Sequence, residues 1–171
     1  MLIRPIPLHP PGQHMKPIAA FLTTLLFVSG TAVAQTQLTV THGAVPKPTY
    51  IDLGAPGDSV GDQRIWQFDA KTLDSQPVIT DWIMTTTGSS NSVAGMESRV
   101  TKGVFSFGEM AKDTILLEGI GLYPTVGSTL KSDTVLQRAI IGGTGRYAGA
   151  TGTVTSTHLP DNTWQHSFDL N

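Results

Sequence analysis

One glutamate on an apolar strand face is the first candidate for chemistry in this sequence. Glu118 alternates with Leu116, Ile120 and Leu122, so an extended strand would place it among aliphatic side chains. A carboxylate in such surroundings could act as a general acid or base. The alternative is a structural carboxylate that pairs with an arginine or reaches solvent at a rim of the fold.

His166 is the second candidate catalytic residue. It alternates with Trp164 and Phe168, so it lies on an apolar face, where it could exchange a proton or serve as a hydrogen-bonded core histidine. Trp66 and Trp82 alternate with apolar residues in two other strand-like segments. They are candidate ligand-binding residues, and the alternative for both is a place in the core or at its rim.

Two arginines fall on strand faces that are otherwise mostly apolar. Arg138 alternates with Leu136 and Ile140, and Arg99 shares a face with Glu97. An inward arginine needs a carboxylate partner, for which Glu97 or Glu118 is the natural candidate. Arg99 and Arg138 are therefore predicted either to bind a ligand or to form a structural ion pair.

Two glycine-containing motifs suggest chemistry but lack the right surroundings. The segment from Gly57 to Gly61 matches G-x-S-x-G, yet a strand pattern follows Ser59 where a nucleophile elbow needs a helix. The glycines after Gly143 are spaced unlike a dinucleotide loop, and a strand pattern again follows them. We interpret both as turns, and we predict no cofactor.

Composition excludes several further classes of function. The chain has no cysteine, which removes disulfides, thiolate nucleophiles and Cys-ligated metals. The histidines have no metal-like spacing, so we predict no metal site. The formal charge is mildly acidic at −2, which does not favour nucleic acid as a partner.

The N-terminus resembles a secretory signal peptide. Lys16 precedes the apolar run 18–28, and Ala32-Val33-Ala34 supplies small residues at the −3 and −1 positions. The run is too short for a comfortable membrane span, so no stable membrane insertion is predicted. We predict cleavage after Ala34, with residues 1–14 as an upstream mis-start or a long leader. The product would be a secreted or periplasmic domain, residues 35–171.

The remaining chain has a β pattern throughout. Segments of alternating polarity recur between turn signals, and no segment keeps a helical apolar stripe over three turns. One example is the strand 63–69, which places Arg64, Trp66 and Phe68 on one face. The pattern predicts an all-β domain, either a closed antiparallel barrel or a sandwich.

A family resemblance selects the barrel. Its most specific motif is the glycine-rich segment from Ile141 to Ala150, with the turn 57–62 and the hairpin around Phe105–Gly119 as further supports. Together these resemble the allene oxide cyclase and dirigent superfamily of eight-stranded antiparallel β-barrels. The resemblance covers residues 50–170. It implies a cofactor-free protein whose apolar cavity folds a reactive ligand.

The resemblance leaves three functions open. The first strand, Gln37 to His42, lacks the carboxylate that the cyclases and dirigent proteins carry there, so no catalytic set is transferred. The first expectation is an exported barrel that binds a small hydrophobic or phenolic molecule. The alternatives are a cofactor-free isomerase, cyclase or guide for radical coupling, and a structural barrel with a filled interior. A homo-oligomer, dimer or trimer, is also expected.

Overall fold

The chain forms a closed antiparallel β-barrel. The computed structural model describes residues 36–89, 93–109, 111–125 and 129–171, and all of them belong to one unit, Val33–Asn171. The predicted signal peptide and cleavage site lie outside the described residues. The all-β expectation and the eight-stranded barrel are both confirmed.

Nine strands are seen among the described residues. Eight form the barrel, and the three-residue strand β2 is a short addition to its wall. In chain order they are β1 Thr36–His42, β2 Thr49–Ile51, β3 Gln63–Thr72, β4 Pro77–Ser89, β5 Met96–Phe107, β6 Asp113–Pro124, β7 Val135–Gly143, β8 Gly152–His158 and β9 Trp164–Leu170. Among these residues the only helical element is a 3₁₀ turn, Gly145–Tyr147. No helix of the described residues is long and apolar enough to cross a membrane.

The barrel closes between β1 and β3. The strand order is β1-β9-β8-β7-β6-β5-β4-β3-β2, and β1 also pairs with β3 through Val40 and Thr72. The short β2 pairs with the first half of β3, with Tyr50 opposite Arg64. Prolines at 46 and 48 separate β1 from β2, since proline cannot donate to a ladder. Strands β1 and β2 thus pair with the same edge of β3, β2 with its first half and β1 with its end.

Alternation along each strand places one set of side chains in the lumen. On β3 and β4, Trp66 lies opposite Trp82, and both are buried. On β6 the inward positions include Gly119 and Gly121, while Leu116, Ile120 and Leu122 face outward, where Ile120 is 62% exposed. An apolar strand face therefore lies outside this barrel, and small residues lie inside it.

The two ends of the barrel differ. One end is sealed by packed apolar side chains. Their removal from water stabilises the fold and offsets the loss of backbone entropy. They are Val78, Phe105, Phe107, Ile115, Leu117, Ile140, Val154, Phe168 and Leu170. The glycine-rich segment packs at the same end, where the Tyr147 ring lies 4.9 Å from that of Phe107 and Ala150 joins the core. The other end is open and holds the cavity.

Candidate functional site

The open end of the barrel contains a cavity. The residues that line it come from the wall and from the segments just beyond it: His42, Val45, Trp66, Phe68, Trp82, Met84, Tyr123, Thr129, Arg138, Ser156, Trp164 and His166. The cavity volume is about 40 Å³, and the empty space reaches about 430 Å³ when the open mouth is included. The cavity is therefore tight, and a thin molecule would enter it more readily than a bulky one.

Aromatic rings form most of the cavity wall. The chain has three tryptophans, Trp66, Trp82 and Trp164, and all of them line the cavity. Trp164 stacks nearly parallel to His42, with ring centroids 6.2 Å apart and planes 9° apart. The Trp66 indole N–H donates to the carbonyl of Pro46 at 2.9 Å, which fixes that ring. The wall therefore offers flat, rigid apolar surfaces.

A chain of hydrogen bonds crosses four neighbouring strands of the wall. Arg138 on β7 donates from Nη1 to Ser156 Oγ on β8 at 3.2 Å. Ser156 Oγ lies 2.8 Å from Nδ1 of His166 on β9. His166 Nε2 lies 3.0 Å from Nε2 of His42 on β1, whose Nδ1 is 2.7 Å from the Gly43 carbonyl oxygen. The polar groups form one continuous row.

The direction of these hydrogen bonds follows from chemistry. The carbonyl of Gly43 can only accept, so His42 Nδ1 carries a hydrogen and, in the neutral ring, Nε2 accepts. His166 must then donate from Nε2 and accept at Nδ1 from the Ser156 hydroxyl. Every bond from Arg138 to Gly43 thus points the same way, and neutral imidazoles suit every position.

Burial keeps both imidazoles in their neutral form. Desolvation is the main cause that lowers the pKa of His42 from 6.5 to about 4, aided by the charge of His158 and opposed by the bond to Gly43. Burial likewise holds the pKa of His166 well below 6.5, and the charges of His42 and Arg138 act in the same direction. At neutral pH the pair therefore holds no charge.

A second polar cluster lies on the opposite wall. Glu97 Oε1 accepts from Arg99 Nε at 2.5 Å and lies 3.3 Å from Arg64 Nη2. Thr86 donates to the same oxygen at 2.9 Å. The Arg99 guanidinium also lies over the Tyr123 ring, 4.8 Å from its centroid. The predicted pairing of Arg99 with Glu97 is present, and burial holds the pKa of Arg99 below its usual value.

Ser59 belongs to a turn in which its hydroxyl meets a backbone carbonyl and the Asp62 carboxylate, and no helix follows. Its hydroxyl donates to the Leu53 carbonyl at 2.5 Å, and its backbone N–H donates to Asp62 at 2.8 Å. The Asp62 carboxylate also accepts from Tyr50 at 2.5 Å, and this bond is the main cause that lowers its pKa to about 2. Strand β3 follows the turn, so the G-x-S-x-G segment is a structural turn, as expected.

The structure places Glu118 outside the barrel, contrary to the expectation that it faces the interior. Its side chain is 40% exposed and lies 4.0 Å from the Lys102 ammonium on β5. The physical reason is the alternation along β6: Leu117 faces the core and Gly119 lies on the same inward face, while Glu118 shares the outward face with its other neighbours. Glu118 therefore cannot serve the cavity chemically.

The other predicted site residues separate into two groups. His166, Arg138, Trp66 and Trp82 all line the cavity, while Arg99 lies in the neighbouring ion-pair cluster. Their roles in binding or catalysis stay predictions. The residues that sequence reasoning missed are His42, Tyr123, Ser156 and Trp164. His42 shares its strand face with Val40, and Ser156 shares its face with Val154, so alternation was the available signal.

No cluster of three potential metal ligands is found among the described residues. The histidines bond to each other, to backbone carbonyls or to neutral side chains. The arrangement supplies several N–H donors and flat apolar walls.

Comparison with solved structures identifies the fold. The chain is similar to a structure described as pyocyanin demethylase, with 19% identity, 80% of this chain and 99% of that chain covered and a TM-score of 0.57. It is also similar to a pterocarpan synthase dirigent protein, with 20% identity, 86% and 96% covered and a TM-score of 0.51. Comparison with protein-family models finds no match. Comparison with curated proteins finds none either. The chain has the dirigent and allene oxide cyclase type of barrel fold.

Proposed function

We propose that this protein binds a small, flat, hydrophobic or phenolic molecule in the open end of its barrel. The observation that carries the proposal is the tight cavity walled by Trp66, Trp82, Trp164 and Phe68. Ring stacking on such walls favours a thin aromatic compound over a bulky aliphatic one. The row of hydrogen-bonding groups along one side would orient the polar edge of that compound.

The structural neighbours support an aromatic ligand. Their descriptions refer to pyocyanin and to pterocarpan, and both are compounds with several fused rings. At this level of sequence identity the likeness establishes the fold, so the ligand class rests on the cavity itself. The walls and the neighbours point to the same kind of molecule.

A catalytic function is the second candidate. The His42–His166 pair could exchange a proton with a bound molecule without any cofactor once that molecule replaces one hydrogen bond of the row. Holding one folded conformation of a reactive ligand would supply the rest of the effect. This favours a cofactor-free isomerase, cyclase or coupling guide over hydrolytic chemistry.

Intrinsic fluorescence tests the binding proposal directly, because every tryptophan of the chain lines the cavity. We expect phenazine and other flat aromatic compounds to quench this fluorescence in a saturable way. Trp66→Leu should weaken the binding, whereas Ile83→Ala, a change at an outward and exposed position, should leave it unchanged. Absence of saturable quenching by any aromatic compound would remove the proposal. Chromatography of the compound after incubation with the protein shows whether it is unchanged, as binding alone predicts, or converted, as turnover predicts.

Export and self-association also stay predictions. We propose that the barrel works outside the cytoplasm after loss of its leader. We further propose a homo-oligomer, since the outward faces of β6 and β7 carry exposed Ile120, Val135 and Ile141.

A further inference from the structure

Arg138 is a buried cation with no carboxylate within ion-pair distance. Only 5% of the residue is exposed, and its guanidinium donates hydrogen bonds to the hydroxyl oxygens of Tyr123 and Ser156. Every Asp and Glu of the chain is among the described residues, and no ion pair within 4.0 Å joins any of them to Arg138. Arg64 and Arg99 differ, because both meet Glu97. A buried guanidinium without a counter-charge is costly.

The fold makes room for this arginine and holds it in place. A Cβ at Gly119, on the inward face of β6, would lie 2.8 Å from Arg138 Cγ, so the arginine stem lies against a glycine. Nη2 donates to Tyr123 at 2.7 Å and Nη1 to Ser156 at 3.2 Å. The guanidinium lies over the Trp82 ring, 5.5 Å from its centroid. The position is preorganised on the cavity wall.

Two N–H groups beside this position have no acceptor within the described part of the chain. They are Nε of Arg138 and Nε1 of Trp82, and both atoms are buried. Both residues line the cavity and lie against each other. Since unpaired buried donors are destabilising, an acceptor supplied beside them would offset that cost. Neutral His42 and His166 carry no charge that could attract an anion in place of Arg138.

We propose that the ligand is an anionic aromatic compound, with a carboxylate or phenolate oxygen that accepts from Arg138 and Trp82 while its ring lies against the aromatic wall. This inference rests on the proposed function and names the chemical class of the molecule in the same cavity. A negative oxygen supplies both the missing acceptor and the missing counter-charge.

Isothermal titration with 2-naphthoate and 2-naphthamide tests the charge, because the two compounds share their ring and differ in ionisation. The wild-type protein should bind naphthoate at least about tenfold more tightly than naphthamide, as a charged hydrogen bond exceeds a neutral one by this order. In Arg138→Gln the two affinities should become similar, while Arg138→Lys should retain part of the preference. Titration with 2-naphthol, repeated at a pH that ionises its hydroxyl, tests the phenolate: tighter binding of the ionised form is expected, and equal binding of both forms would leave the carboxylate as the recognised group.

Arg146→Gln is the matched control, because this arginine is partly exposed and lies at the sealed end. It should keep the wild-type ratio, and thermal unfolding of each variant checks that it is folded. Equal affinities in the wild type, or a preference that survives in Arg138→Gln, would overturn the inference and leave the proposed binding function standing. Failure of all three compounds to bind would contradict both.

Discussion

At the scale of single residues, the hydrogen-bonded imidazoles of His42 and His166 are the most distinctive feature of the cavity wall. His42 and His166 share one hydrogen between their Nε2 atoms, 3.0 Å apart. If either ring were protonated, both of its nitrogens would carry a hydrogen. One of these N–H groups would then face another donor, and a hydrogen bond of the row would be lost. Burial acts in the same direction, so the geometry and the solvation of this pair both favour the neutral form.

The pair predicts how stability depends on pH. The unfolded chain takes up protons on these rings near pH 6.5, whereas folded His42 does so only near pH 4. Folding stability should therefore be complete above pH 6.5 and fall as the pH drops toward 4, by roughly 3 kcal/mol for His42. His166 adds to the same loss. Urea unfolding across this range measures it.

His42→Gln separates this effect from general acid denaturation. The variant should lose less stability between pH 6.5 and 4 than the wild type, because one proton-uptake site is gone. Lys131→Gln, which changes a charge at an exposed position, should keep the wild-type slope. An unchanged slope in His42→Gln would show that this histidine does not remain neutral in the fold.

Residue types and spacing predicted part of this site and missed the rest. Alternation correctly grouped Trp66 with Phe68 and placed His166 on a buried face. It could not tell which face of β6 was inward, so Glu118 was assigned to the interior although it lies on the outward face. A period of two separates two faces but gives neither of them a direction. Long-range pairs such as His42 with His166 depend on the pairing of the first and last strands and have no local signal.

At the scale of elements, the glycine-rich segment was predicted best. Gly145 has a φ of +58°, in the region that L side chains rarely adopt. Gly143 has an ordinary φ, but a Cβ there would lie 2.6 Å from the Thr114 carbonyl oxygen. The two glycines are thus required for different reasons. The short 3₁₀ turn Gly145–Tyr147 between β7 and β8 has only three residues, too few for sequence periodicity to reveal it.

Valine at either position should destabilise the barrel. For Gly145→Val and Gly143→Val we expect a loss of more than about 1 kcal/mol in the free energy of unfolding, from backbone strain and overlap respectively. Gly88→Val is the control, since no atom lies within 4 Å of its Cβ and its φ is not positive. Denaturant unfolding of the three variants gives the comparison. Equal midpoints for all three would mean that the segment tolerates side chains.

At the scale of the whole molecule, the two ends of the barrel differ in packing and polarity. The sealed end is filled by apolar side chains such as Phe105 and Phe168, both fully buried. The open end contains buried charge and unpaired donors, which reduce stability and are typical of binding sites. With no cysteine in the sequence, no disulfide adds to the barrel, so the sealed end must supply the packing that offsets these costs.

The last prediction concerns the exported form of the whole chain. Expression of the full sequence in a secreting bacterial host should yield a protein that begins at Gln35, because Ala32 and Ala34 provide the small residues that signal peptidase requires. Initiation at Met1 or at Met15 would give the same product, since both starts precede the cleavage site. N-terminal sequencing and intact mass measure it. Ala34→Arg should block the cut and leave a longer chain, whereas Gln37→Glu should not. Exported wild-type protein that still carries residues 18–28 would contradict the prediction.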